Sequence, residues 1–172
     1  VYKRQVYPER AAGLVLVCPV LGGFQPGEAV TSFNEEEDVL LEKGDLEGAA
    51  ELNMRMWLAG PNRDKNDMEA NLWSQLAQMQ YEAFQVPEPE GVEFIGVDFA
   101  AVERLGGISN PVLVLQGDED VPSVIEHACF VSERIPEARF EMLAGVGHML
   151  SLEDPVEFNR IVRTFLLDSQ GG

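Results

Sequence analysis

A chain of 172 residues is long enough for one domain with a sizeable core. With 12 Lys and Arg against 30 Asp and Glu, its net charge of −18 argues against nucleic acid or an anionic membrane as partner. No apolar run is long enough to span a bilayer and no signal-like stretch is visible, and Cys18 and Cys129 sit in apolar contexts that read as reduced thiols of a cytoplasmic protein.

Taken in order, Val1 to Gln5 carry no pattern, and residues 1–5 and 169–172 are expected to be unstructured ends. Tyr7-Pro8-Glu9-Arg10 leads to Leu14–Val17, a continuous β-branched and leucine run of the kind found in a parallel strand buried on both faces. The glycine-rich loop Leu21 to Gly27 lacks the spacing of a phosphate cradle and reads as a strand exit. Helix formers then dominate from Thr31 to Phe84. One helix is expected to begin at Asn34 to Asp38, whose acids suit a helix amino terminus. Asp45 caps a second that runs through Leu58 and ends at Gly60-Pro61. A third runs from about Asn66 to Phe84, with Met68, Leu72, Leu76, Met79 and Ala83 on one face.

Val86 to Gly91 is a stiff polar linker, followed by a helical turn near Phe99 to Leu105. Val112 to Leu115 is a second buried strand, ending at Gly117 and the acidic turn Asp118-Glu119-Asp120. An amphipathic helix, Pro122 to Ile135, leads to a third strand, Arg139 to Leu143, and a loop that holds His148. Strand, helix, strand with so short a connection means a parallel crossover. Both loops therefore leave the carboxyl edge of the sheet, where open α/β sheets place their sites. A carboxylate from one loop can there orient and stabilise a general-base imidazole from the other. Asp154 as N-cap, Pro155 and Glu157 start the last helix, whose stripe is Phe158, Ile161, Val162, Phe165 and Leu166.

Gly117-Asp118-Glu119-Asp120-Val121-Pro122, followed by Gly147-His148 with Glu153, Asp154 and Pro155 beyond it, resembles the acid and histidine loops of the α/β-hydrolase superfamily. The two motifs in this order are a specific signal; either alone is weak. The resemblance covers Tyr7 to Leu167. It implies a carboxyl-terminal half of that fold: three parallel strands with flanking helices, a partial core of residues 6–28 and 92–168, and an all-helical cap with its linker at 29–91. Asp120 then matches the triad acid and His148 the triad histidine. The Gly-x-Ser-x-Gly nucleophile elbow that precedes the first of these strands in the family has no counterpart here. The implied partner is the amino-terminal half of the same domain. In such a cap Met54, Met56, Met68 and Met79 with Trp57 and Trp73 suit an adaptable apolar pocket roof, or simply pack the cap onto the core. Met56, Trp57, Trp73 and Met79 are the candidate pocket residues.

Rival readings are blander. Asp118 and Glu119 read as solvated turn residues, with Asp118 able to shape the acid loop. His127 reads as an ordinary helix residue. With two histidines and no spaced Cys/His set, no metal site is expected, and no cofactor either. Cys18 ends a strand near where a nucleophile is wanted, but it lacks an elbow and Pro19 follows it. The family implies a serine-type esterase, lactonase or carbon–carbon bond hydrolase of small molecules. The alternatives are an Asp-nucleophile relative such as a dehalogenase, and a non-catalytic interaction module. An epoxide substrate is disfavoured, because Tyr81 is the one tyrosine in the helical region. The isolated chain is expected to be inactive and to expose the unpaired edge of its first strand.

Overall fold

The computed structural model describes residues 11–22, 25–87, 91 and 101–169. Tyr7 to Arg10, the ends 1–5 and 170–172, and residues 88–90 of the linker lie outside them. Among the described residues, β1 (Leu14–Val17), β2 (Val112–Gly117) and β3 (Arg139–Leu143) form one sheet in the order β1-β2-β3. Both pairings are parallel, with Val17 opposite Leu115 and Gly117 opposite Leu143. The expected strands and their order are borne out, with β2 running on to Gly117.

The central strand decides where the core sits. Every residue of β2 is buried, and successive side chains point to opposite faces. Val112 and Val114 pack with Leu105, Ala128, Val131 and Ile135 on one face. Leu113 and Leu115 pack with Leu143, Leu150, Ile161 and Phe165 on the other. The first face is covered by α4 (Pro122–Arg134) and the 3-10 turn Ala101–Gly107. The second is covered by the single turn α5 (Leu150–Glu153) and by α6 (Pro155–Asp168), where the Asp154 carboxylate accepts from Glu157 N at 3.0 Å. In that helix Ile161 and Phe165 are buried, Phe158 and Val162 half-buried, and Leu166 exposed. β1 differs from expectation. Its residues are only half-buried and Val17 is 40% exposed, because among the described residues it pairs on one side only.

The segment between β1 and β2 is helical, with three departures from the sequence reading. α1 (Glu28–Glu42) starts ahead of Asn34, because the Gly27 carbonyl accepts from Thr31 N and so opens the helix earlier. The acids at Glu35 and Glu36 lie along its exposed face instead of in its first turn. α2 (Leu46–Asn53), capped by Asp45 accepting from Gly48 N at 2.9 Å, widens into a π-helical segment, Met54–Ala59. Gly60 stops that segment at φ +73° and donates back to Arg55 O. α3 (Ala70–Phe84) starts later than Asn66, because Asp64 and Asp67 close a separate 3-10 turn, Lys65–Asp67. Its buried residues are Trp73 and Leu76, which join Met54, Leu58 and Ala59 in a core internal to the helical layer.

Candidate active site

The site begins with a close approach. β2 ends at Gly117, and a Cβ there would overlap the carbonyls of Val146 and Gly147. Glycine therefore lets the two loops run side by side. Asp118 N donates to Leu143 O at 3.1 Å and Glu119 N to Val146 O at 3.0 Å, so the acid turn continues the parallel pairing of the strands. Asp118 Oδ1 adds a bond from Gly145 N. Glu119 is held from the helical layer, where Asn62 donates to its carboxylate at 3.1 Å.

This scaffold points Asp120 inward, 2% exposed. A buried carboxylate needs donors. Val121 N donates to Oδ1 at 2.7 Å, Gln116 Nε2 donates to Oδ2 at 2.8 Å, and His148 Nδ1 lies 2.8 Å from Oδ2. Nδ1 carries the proton in that contact, since an ionised carboxylate only accepts; Nε2 is then left as an acceptor. The imidazole is partly exposed and its ring packs on Trp57, with centroids 4.9 Å apart. His148 N also donates to Trp57 O at 3.2 Å. An oriented imidazole with an acceptor nitrogen free can take a proton from a nearby hydroxyl or water.

No protein-family profile matches the chain. Carboxylesterase YbfK of Bacillus subtilis is 29% identical over 169 residues, covering 92% of this chain and 50% of that protein. Its crystal structure, named CesB (YbfK), superposes with a TM-score of 0.59 at 22% identity over 95% of this chain and 54% of that one. A thermophilic esterase from Thermogutta terrifontis gives 0.67 at 19% identity, over 96% of this chain and 58% of that one. Est816, described as an N-acyl homoserine lactone degrading enzyme, gives 0.61 at 22% identity, over 95% and 61%. The chain has an α/β-hydrolase fold. It spans about half the length of the curated relative it matches.

Within this α/β-hydrolase scaffold the structure gathers some of the sequence-predicted residues and separates others. Asp120 and His148 are brought together. Trp57 lies on His148 and, with Phe33 edge-on to it at 5.4 Å, forms an aromatic wall. Met56 lines a neighbouring cleft of about 320 Å³ with Phe33, Pro61 and Val121. Trp73 and Met79 depart from the expected pocket roof. Trp73 is 2% exposed inside the helical layer and donates to Glu51 at 3.0 Å, while Met79 is 54% exposed on α3. Of the stripe expected along α3, Met68, Leu72 and Leu76 pack with Trp73 in the layer's interior, whereas Met79 is carried out to solvent.

Two residues given bland readings stand at the site. A cavity of about 310 Å³ beside His148 is lined by Cys18, Val30, Trp57, Ser123 and His127. His127 is 8% exposed, and burial lowers its pKa against the opposing pull of Glu126. Sequence did mark α4 as amphipathic, but not that its histidine faced this cavity. Cys18 has φ +43° and its Sγ lies 3.5 Å from His148 O. Cys18, Asp120 and His148 bring ligand-type atoms within 4.8 Å of one another. Burial pushes the Cys18 thiol far up, and the Asp120 carboxylate pushes it further. It stays a thiol and a poor nucleophile.

Proposed function

We propose that Asp120 and His148 are the acid and the general base of a serine-type hydrolase of small-molecule esters or lactones. One observation carries this reading, the 2.8 Å contact between His148 Nδ1 and a buried, otherwise hydrogen-bonded Asp120. In the proposed cycle His148 Nε2 takes the proton of a serine hydroxyl as its oxygen attacks the ester carbonyl. The imidazolium is stabilised by Asp120 and returns the proton to the leaving alkoxide. Water then cleaves the acyl-enzyme by the same route. Trp57 and the helices between β1 and β2 would form a cap beside the cleft, with Trp57 packed on the imidazole and lining the cavity next to it.

The serine belongs, in this reading, to a segment outside these 172 residues. Two facts support that: the sequence contains no Gly-x-Ser-x-Gly, and it spans 50% of the carboxylesterase it resembles. The ester class is favoured by the carboxylesterase relative, and the lactone class by the description of Est816. The 172 residues by themselves then hold a base with no nucleophile before it, and do not turn over an ester.

The test is p-nitrophenyl ester hydrolysis by the full-length protein, with a fluorophosphonate probe alongside. His148→Ala is expected to lower kcat by roughly 10³- to 10⁶-fold, with folding retained. Labelling of a serine by the probe is expected to fall in parallel. Wild-type turnover in His148→Ala, or a protein that hydrolyses esters and takes up no fluorophosphonate, overturns the proposal.

A further inference from the structure

We infer that Arg63 and Glu153 are positioning residues that hold His148 in register with Asp120, by tying the histidine loop to the end of the π-helical segment. The inference rests on the reading of His148 as the general base.

It starts from a general need. The last carbonyls of a helix have no donors from their own helix. Here those carbonyls meet the histidine loop and one cation. Trp57 O accepts from His148 N, Leu58 O from Arg63 Nη2 at 2.7 Å, and Ala59 O from Arg63 Nε at 2.8 Å. The same guanidinium reaches the loop with its other edge, donating from Nη1 to Gly145 O at 2.7 Å. Its Nη2 pairs with Glu153 Oε2 at 2.8 Å, and both side chains are largely buried, 14% and 6% exposed. Glu153 Oε1 then accepts from Gly147 N at 2.8 Å, on the residue before His148.

The loop needs such a clamp. Gly145 and Gly147 flank Val146, and glycine gives a backbone more conformations to choose among. Gly147 is also what admits the clamp, since a Cβ there would come to 2.7 Å from Arg63 Nη2 and 2.9 Å from Leu58 O. A planar guanidinium is suited to this arrangement, because it presents five donors in a fixed fork. A lysine ammonium at the same place has the charge but cannot span acceptors on both sides. Burial lifts the Glu153 carboxyl above its usual range, with Arg63 pulling it back. Loss of Arg63 therefore leaves a buried acid with a reason to protonate or to swing out.

The experiment uses the full-length protein with labelled histidine, following the His148 Nδ1–H proton by NMR and ester turnover in the same samples. Arg63→Lys is expected to shift or broaden that proton signal and to lower kcat roughly 10- to 100-fold at near-constant KM. A cation needed only for stability is rescued by lysine, so unchanged Nδ1–H and kcat in a folded Arg63→Lys overturn the inference. Should Arg63→Lys not fold, Glu153→Gln is read in the same way: it keeps the acceptor for Gly147 N and removes the ion pair, and unchanged values again overturn it. Asp120→Asn separates the two proposals. A His148 signal indifferent to Asp120→Asn sinks the acid–base reading, whereas one that responds to Asp120→Asn but not to Arg63→Lys or Glu153→Gln sinks only the clamp.

Discussion

Asp118 and Gly145 are 27 positions apart, and Asp118 Oδ1 accepts a hydrogen bond from Gly145 N at 2.6 Å. This bond joins the acid loop to the histidine loop on their exposed side, while Asp120 and His148 join them underneath. Gly145 sits at φ +76°, the left-handed region that glycine adopts without a steric cost. Asp118→Ala removes a charged acceptor from an exposed amide and is expected to cost about 1 kcal/mol. An unchanged urea midpoint in that variant would show that the two loops do not depend on it.

Gly117→Ala is expected to be far worse. The added methyl would overlap two backbone carbonyls, of Val146 and Gly147, and neither can rotate away as a side chain can. The strand ends must part, at a cost of roughly 2–4 kcal/mol and with the Asp120–His148 contact lengthened. A variant that melts like the wild type would mean that the two loops are held less closely than described.

The two cysteines should differ in reactivity. Cys18 is buried beside Asp120 with its thiol held protonated, whereas Cys129 is only half-buried. Because the thiolate is the attacking species, Cys18 is expected to react with iodoacetamide at pH 8 at least about 100-fold more slowly than Cys129. Peptide mapping after a timed pulse reads this. Equal labelling of the native protein would contradict the burial and charge assigned to Cys18.

His127 sets a pH dependence of stability. Burial lowers its folded pKa below the ordinary 6.5, so the unfolded chain binds more protons between the two values. Stability from this group is therefore full above about pH 6.5 and is lost as pH falls through the folded pKa. His127→Gln is expected to flatten urea stability between pH 7.5 and 5.5. If the variant loses as much stability on acidification as the wild type, another group is responsible.

What the sequence determined by itself is what local chemistry determines. A β-branched or leucine run between turn residues makes a strand, so Leu14–Val17 was legible to the residue. An Asp before a Pro with an amphipathic stripe behind it starts a helix, as at Asp154. The strand, helix, strand order with its short connection was enough to place both loops on one sheet edge. Tertiary structure decided which side of an element met what. Whether Trp73 or Met79 faces inward depends on how α3 rolls against α2, and periodicity alone leaves that roll open by tens of degrees. The π-helical widening at Met54–Ala59 and the capture of its last carbonyls depend on a loop nearly a hundred positions away, so no local pattern announces them. Glu153 was visible as part of a motif, but its partner Arg63 was not. An arginine in a polar turn looks the same whether it faces water or a buried acid, and only the folded chain, by withdrawing both from solvent, makes the pair matter.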